Sequence, residues 1–213
     1  MKQKIDLDSW NRKEHFELFL GFEEPYHGVM FQVEMSRLYE QAKDLGHSVF
    51  LHYLYRTVQA AQSVENFRLR IEEDEVFLYE RLHAGSTMGR SDHTFGFGTI
   101  EFDDDIGVFV ARGRKEMERV EQTPGLARDP NTLRQDVIHC SPLPWIPFTG
   151  LSHARAFYRK DSVPKISFGK YEWKGSELWM PMAVHVHHAL VDGYHVGLFY
   201  EKLQELMRHE AMS

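Results

Sequence analysis

Four stretches of the chain carry apolar side chains at the three- and four-residue spacing of an amphipathic helix. We predict helices over residues 33–42, 49–64, 103–121 and 194–208. The third stretch opens with Asp103, Asp104 and Asp105, and carboxylates favour a helix N-terminus through capping and the helix dipole. We expect that helix to end before Pro124.

Seven shorter stretches, bounded by turn residues, predict strands. They cover residues 67–71, 76–79, 94–102, 134–140, 154–158, 165–173 and 178–188. In the last of them, alternation sends Val184, Val186 and His188 to one face of the strand and the intervening residues to the other.

The predicted elements indicate the fold class. Helices and strands are mixed without regular alternation, which favours an α/β (α+β) fold with a mixed, largely antiparallel sheet flanked by helices. We find no internal repeat and no Pro/Gly/Ser-rich linker, so we expect a single domain over residues 1–213.

Composition and charge exclude several classes of protein. The apolar fraction of 42% is enough for a sizeable core, which argues against disorder. A net charge of −7 with scattered basic residues argues against nucleic acid as a partner, although a local basic spot could hold a phosphorylated cofactor. Cys140 is the only cysteine, so no intrachain disulfide can form. With no signal peptide and no membrane-length apolar run, we expect no membrane partner and a cytoplasmic protein.

The most informative segment joins the last predicted strand to the last predicted helix and reads HHALVDG over residues 187–193. His188 lies where a rigid strand ends and a cleft can open. Its pKa near neutrality suits an imidazole that accepts a hydroxyl proton. The alternative for a single histidine is a hydrogen-bonded core residue. Asp192 could orient the imidazole, as in a catalytic triad, or pair with a distant arginine.

A metal site is a further possibility. His185, His187, His188 and His195 lie close in sequence, and imidazoles bind zinc. On a strand, however, His185 and His187 share a face from which His188 points away. No cysteine or nearby acidic triplet completes a ligand set, so we expect no metal.

Three motifs together resemble one family. Residues 10–16 read WNRKEHF, residues 141–145 read SPLPW, and residues 187–197 read HHALVDGYHVG. In order and spacing these segments resemble the W-x-R-[RK]-E-H-F, S-x-L-P-W and HHAxxDGxH motifs of the type A chloramphenicol acetyltransferases. The HHxxxDG pattern also marks other families of CoA-dependent acyltransferases, which are usually longer or lack the first two motifs.

The resemblance implies a fold, an assembly and a reaction. It implies a single-domain two-layer sandwich and a homotrimer with active sites at the subunit interfaces. One subunit would supply the base and its neighbour much of the acceptor pocket. The reaction would transfer acetyl from acetyl-CoA to a hydroxyl of chloramphenicol within a ternary complex, without a metal.

The resemblance also assigns roles to individual residues. His188 resembles the general base, and Ser141 resembles the hydrogen-bond donor to the tetrahedral oxyanion. Asp192 resembles a structural carboxylate that pairs with an arginine near the N-terminus, here Arg12. We therefore favour the ion pair over the triad.

Further positions resemble binding residues. Trp145, Lys170 and Tyr171 match positions that flank the pantetheine and adenine of coenzyme A.

The acceptor pocket departs from the family pattern. Phe95 matches a pocket aromatic, but Phe97 stands where known members carry a small residue. His153 and Lys165 replace aliphatic side chains, and His139 replaces an asparagine. Another hydroxylated small molecule is therefore the alternative acceptor.

Two other classes of function compete with the acetyltransferase. The first is a metal-dependent hydrolase that uses the histidine cluster. The second is a non-catalytic trimeric binding protein. The presence of His188, Ser141, Arg12 and Asp192 together argues against the second, because a purely structural protein has no evident need for all four.

Overall fold

A computed structural model describes residues 1–154 and 161–209. The helices are α1 Lys13–Leu20, α2 Ser36–Asp44, α3 Val49–Ser63, α4 Ile106–Gln122 and α5 Gly193–Arg208. The strands are β1 Lys2–Lys4, β2 Tyr26–Glu34, β3 Leu69–Glu72, β4 Glu75–Tyr79, β5 His83–Gly89, β6 Phe95–Ile100, β7 Val137–Leu143, β8 Lys165–Gly169, β9 Glu172–Lys174 and β10 Glu177–His187. Within these ranges no helix is both long and apolar enough to cross a membrane.

The strands form two sheets. The larger has the order β2-β10-β8-β7-β5-β6, with β9 paired to one end of β10, and the smaller has the order β1-β4-β3. β7 runs parallel to both of its neighbours, whereas the other pairs of the large sheet are antiparallel. The predicted mixed, largely antiparallel sheet flanked by helices is therefore confirmed.

The two faces of the large sheet have different surroundings. α5 packs on β2, α4 on β6 and α3 on β5. Cys140, Ile166 and Val184 lie side by side on the helix-covered face and are fully or almost fully buried. On the second face, His139, Lys165 and His185 lie side by side and are half-buried. The core thus lies between the helices and the helix-covered face of the sheet, and these polar side chains lie on the second face.

Three predicted helices lie close to the expected bounds. α3 begins at Val49 as predicted, and α5 begins one residue earlier than predicted. α4 begins three residues later, at Ile106, because Asp105 accepts hydrogen bonds from the Gly107 and Val108 amides as its N-cap. The three aspartates therefore precede the helix, and the last of them caps its N-terminus. Carboxylate capping was also the reason for predicting a helix here.

Other predictions need correction. The predicted helix over residues 33–42 begins only at Ser36, because the preceding nine residues pair along β10 as β2. The predicted strand 165–173 is two strands, since the Lys170 amide bonds to the Ile146 carbonyl rather than to a neighbouring strand. The predicted strand 154–158 lies outside the described residues except for Ala154. Helix α1 and strands β1, β2 and β5 were not predicted at all.

The small sheet is tied to the large one through a buried guanidinium. The Arg70 side chain is fully buried and donates to the carbonyls of Phe67, Leu69, Gln135 and Val137 at 2.6–2.8 Å. Burial lowers the pKa of Arg70 to about 10, so the group stays charged at pH 7. Since Val137 begins β7, this contact fixes the start of the strand that carries Ser141.

We expect Arg70→Met to lower the free energy of unfolding by about 3 kcal/mol or more, because it leaves buried carbonyls without donors. Urea unfolding at fixed protein concentration measures the change. The matched control is Arg81→Met, which removes an exposed pair with Asp104 and should change stability little. If the two substitutions lowered the free energy of unfolding equally, the stabilising role of the buried Arg70 guanidinium would be contradicted.

Candidate functional site

His188 lies in the turn directly after β10. Its amide donates to the Pro25 carbonyl at 2.8 Å, which extends the pairing of β2 and β10 by one step. The half-buried imidazole stacks on the Phe19 ring with centroids 3.9 Å apart and planes 5° from parallel. Among the described residues, its buried Nδ1 has no hydrogen-bond partner. The ring is thus held by packing.

Asp192 caps α5 and also binds Arg12. Its Oδ1 accepts from the Tyr194 amide at 3.0 Å and lies 2.9 Å from His195 Nδ1, while its Oδ2 accepts from Arg12 Nη1 at 2.6 Å. Burial opposes ionisation, but the Arg12 hydrogen bond lowers the pKa of Asp192 below its ordinary value. Both carboxylate oxygens are engaged in these contacts, and this geometry favours an ion pair over a triad.

The Arg12 side chain depends on this contact. It is 12% exposed, and its Nε and Nη2 atoms are buried without partners among the described residues. Asp192 is its ion-pair partner, and removing one member of a shielded pair costs more than the pair itself contributes. The pair joins the residue preceding α1 to the residue preceding α5.

Five of the predicted site residues line one cavity of about 330 Å³. They are Phe97, His139, Ser141, His153 and Lys165. The volume is within the usual range for small-molecule sites. The remaining pocket candidate, Phe95, lies at the start of β6, is 47% exposed and makes an edge-on contact with the Phe97 ring. β7 continues to Leu143, three residues beyond the predicted end at residue 140, so Ser141 belongs to the strand and its backbone is held by the sheet.

Burial and nearby charges act on the two histidines of this cavity. Burial, together with the nearby Lys165 ammonium, lowers the pKa of His139 to about 4. Burial, together with His185, lowers the pKa of His153 to about 4. Lys165 itself pairs with Asp161. At pH 7 the cavity therefore offers two uncharged imidazoles, an ammonium paired with a carboxylate, and the guanidinium of Arg128.

A second, smaller cavity of about 190 Å³ shares His153 and Lys165 with the first. His185 also lines it, and the rings of His153 and His185 meet edge-on with centroids 4.7 Å apart. Over residues 1–154 and 161–209, no group of three His, Cys, Asp or Glu side chains converges as metal ligands would. The histidines that lie close together in sequence, at positions 185, 187, 188 and 195, therefore belong to no such group in this part of the chain.

The residues expected to bind coenzyme A lie close together on the surface. The turn that follows β7 contains Trp145, which is 75% exposed. The Lys170 amide donates to the Ile146 carbonyl at 2.9 Å, which places the segment after β8 beside this turn. The Lys170 ammonium faces Glu172 at 3.5 Å, and Tyr171 packs edge-on against Tyr39.

The sheet separates His188 from Ser141 within one chain. Ser141 pairs with Ser167 and Ser167 with Ala183, so two strand spacings separate Ser141 from β10. His188 lies five residues beyond Ala183, which puts the two Cα atoms about 19 Å apart. Alternation also sends Ala183 and His188 to opposite faces. His188 lines neither cavity described above.

Sequence reasoning missed the residues that surround His188. Phe19 and His27 lie on α1 and β2, two elements that were not predicted. α1 has eight residues of which Phe16 alone is buried, so its apolar periodicity is weak. In β2, half-buried and exposed residues alternate from Gly28 to Gln32, but the sequence hides this alternation because the exposed Met30 is apolar like its neighbours Val29 and Phe31.

Comparison with known proteins connects this geometry to one family. The family model "Chloramphenicol acetyltransferase" matches residues 2–204. Chloramphenicol acetyltransferase 3 of Escherichia coli is 27% identical over 95% of this chain and 95% of its own length. A chloramphenicol acetyltransferase of Proteus mirabilis is 26% identical over 94% of this chain and 92% of its own length. A solved structure of a chloramphenicol acetyltransferase superposes with a TM-score of 0.89, at 29% identity, over 98% of this chain and 100% of that chain.

We expect Asp192→Ala to lower the free energy of unfolding by about 1–2 kcal/mol, because it removes the cap of α5 together with the partner of Arg12. Asp192→Asn keeps a capping oxygen and should lower the free energy of unfolding by a smaller amount. A carboxylate whose pKa is lowered by folding stabilises the fold above the unfolded pKa and loses this effect as pH falls.

The difference between the wild type and Asp192→Asn should therefore be present at pH 7 and vanish as the pH falls below 3.8, the ordinary pKa of an aspartate. Urea unfolding across this pH range measures it. Asp104→Asn, at an exposed side chain, is the control. If the difference in free energy of unfolding between the wild type and Asp192→Asn stayed the same at low pH, a stabilising role for the Asp192 charge would be contradicted.

Proposed function

We propose a specific reaction on the premise that this chain belongs to the chloramphenicol acetyltransferase family, whose model spans residues 2–204. The chain is an acetyltransferase of that family. We propose that it transfers acetyl from acetyl-CoA to a hydroxyl of chloramphenicol. The observation that carries this proposal is the cavity of about 330 Å³, which presents Ser141 beside four residues at the pocket positions of the family pattern.

His188 is the proposed general base. A ring nitrogen of the neutral imidazole takes the proton of the acceptor hydroxyl, and the oxygen attacks the thioester carbonyl. The tetrahedral intermediate collapses to the acetyl ester, and the departing thiolate recovers the proton from the imidazolium. No acyl-enzyme is needed, because donor and acceptor react within one ternary complex.

Ser141 is the proposed donor to the oxyanion of that intermediate. A hydroxyl held on a strand is a preorganised donor, and one such donor typically contributes about 10²–10³ in rate. Asp192 and Arg12 have a structural role in this proposal. They hold the loop that follows His188 against the residue that precedes α1.

The proposed assembly is a homotrimer with active sites at the subunit interfaces. Its support is the separation of about 19 Å, across opposite faces of one sheet, between Ser141 and His188. A second copy that brings its own His188 to the cavity of the first would complete the site. The same chain would then give its base to one neighbour and its cavity to the other.

Coenzyme A is proposed to bind along the surface formed by Trp145, Lys170 and Tyr171. An exposed indole offers a stacking face for adenine, and the ammonium offers a charge for phosphate. We propose a single domain over residues 1–213, because one cluster of buried side chains includes members from all five helices and both sheets. A cytoplasmic location stays a prediction.

A second candidate is acetyl transfer to a different hydroxylated small molecule. The observation that favours it is the polar lining of the cavity, where His153 and Lys165 replace aliphatic side chains of the family pattern and His139 replaces an asparagine. A site built to hydrogen-bond its acceptor rejects acceptors that leave those groups unpaired. The two candidates share the base, the donor and the cosubstrate, and differ in the acceptor.

We expect the wild type to release free thiol from acetyl-CoA when chloramphenicol is added, as measured with a thiol reagent. His188→Ala should lower kcat/KM by about 10²–10⁴, because no base then accepts the hydroxyl proton. Ser141→Ala should lower it by about 10²–10³. His209→Ala, at an exposed histidine after α5, is the matched control and should keep the wild-type rate.

Turnover of other alcohols without chloramphenicol turnover would reject the first candidate and support the second. If His188→Ala kept a kcat/KM within tenfold of the wild type, both candidate functions would be contradicted, because both use His188 as the base.

A further inference from the structure

Arg128 is a charged side chain of the larger cavity to which the proposed reaction gives no role. It lines that cavity together with Ser141, and its guanidinium carbon lies 5.8 Å from the centroid of the Phe97 ring. Among the described residues, no carboxylate forms an ion pair with this guanidinium. The neighbouring Asp129 side chain accepts instead from two amides of the short turn that follows it. In this part of the chain, Arg128 therefore has a packing partner but no counter-ion.

The backbone that leads to Arg128 is held in place. The Leu126 carbonyl accepts from the Phe97 amide at 2.9 Å, and the Ala127 carbonyl accepts from Arg119 Nη1 at 3.1 Å. Ala127 is buried and has a φ of 51°, in the left-handed region that a residue with a Cβ seldom occupies. Such a conformation persists only where its surroundings fix it, and it is concentrated at ligand sites. A fixed backbone thus presents Arg128 to the cavity.

The lining of this cavity carries an excess of positive charge. The described lining residues include the cations Arg128 and Lys165 and no carboxylate. Lys165 is paired with Asp161. His139 and His153 are uncharged at pH 7, because burial lowers the pKa of each to about 4. Of these groups, the Arg128 charge alone is unmatched. A neutral acceptor would leave it so, whereas an acceptor with a negative charge would balance it.

A guanidinium packed on an aromatic ring is well placed to bind a carboxylate. The ring covers one face of the planar group, and the N–H donors at its edge stay available. Those donors match the two oxygens of a carboxylate in a bidentate pair. A carboxylate also balances the single charge of Arg128, whereas a phosphate monoester would bring about two negative charges at pH 7. The chemistry of the site therefore favours a carboxylate.

We propose that the acceptor is an alcohol that also carries a carboxylate, and that Arg128 binds the carboxylate while the hydroxyl lies beside Ser141. This inference rests on the proposed acetyl transfer and specifies the acceptor of its second candidate. The hydroxyl oxygen forms the ester bond, the thioester C–S bond breaks, and the hydroxyl proton passes by way of His188 to the departing thiolate. The carboxylate takes no part in these bond changes. It determines which alcohol is held in the cavity.

Two acceptors of the same shape separate the effect of charge from that of size. Para-nitrobenzyl alcohol is neutral, and para-(hydroxymethyl)benzoate replaces its nitro group by a carboxylate of the same planar form. The wild type should acetylate the carboxylate with a kcat/KM about 10- to 100-fold higher, as expected for a charge-assisted pair. The difference should lie mainly in KM, because the guanidinium contacts the acceptor away from the reacting atoms. A thiol reagent measures both rates.

Substitution of Arg128 should remove this preference. Arg128→Gln should lower kcat/KM for the carboxylate about 10-fold or more, and for the nitro alcohol less than about threefold. Arg128→Lys keeps the charge without the planar fork and should keep a preference of about threefold or more. Arg112→Gln, the same substitution at an exposed arginine of α4 that pairs with Asp103, is the matched control and should change neither rate.

A binding measurement needs no turnover. Para-toluate, which has a carboxylate and no hydroxyl, should bind the wild type about 10-fold or more tightly than it binds Arg128→Gln, in a calorimetric titration with coenzyme A present. Equal kcat/KM for the two alcohols in the wild type, or a preference that survives Arg128→Gln, would overturn the inference.

The titration also separates this inference from the proposed function. A wild type that acetylates neither these alcohols nor chloramphenicol overturns the proposed function. The para-toluate titration then decides whether Arg128 binds a carboxylate: tighter binding to the wild type supports it, and equal affinities overturn it.

Discussion

The spacing of strands in one sheet is the constraint on which the account depends. β7 and β10 are separated by β8, and Ser141 and His188 lie at different heights on opposite faces. Backbone hydrogen bonds fix this separation, so no side-chain rotation can bring the two groups to one substrate. The proposed chemistry therefore requires two copies of the chain, and the sheet geometry supports the proposed site between them.

The surroundings of the cavity histidines differ from those of His188. On the second face, Lys165 is neutralised by Asp161, and burial keeps the imidazoles of His139 and His153 uncharged. Near His188, the charge of Arg12 is matched by Asp192. A neutral imidazole is the form that can accept a proton. The ion pair and the aromatic packing thus serve the same purpose, which is to hold the His188 ring in a fixed position.

Much of the fold could be predicted from the sequence where one face is continuously apolar, as in α3 and β10. The motif residues could also be identified, but their contacts could not. The stack of Phe19 on His188 depends on a short, mostly exposed helix and on tertiary packing that no local pattern encodes. The break at Lys170 depends on a carbonyl from a distant turn. The periodicity of apolar residues in the sequence indicates which face of an element is buried. The stack on His188 and the break at Lys170 depend instead on contacts between segments that are distant in sequence.

Subunit complementation tests the central claim most directly. His188→Ala and Ser141→Ala chains are mixed, unfolded and refolded together, and acetyl transfer is measured against each variant refolded alone. If one copy supplies the base and its neighbour supplies the donor, random mixing should restore about a quarter of the wild-type activity. If a single chain supplied both groups, the mixture would be no more active than the average of the two variants, and the account would be contradicted.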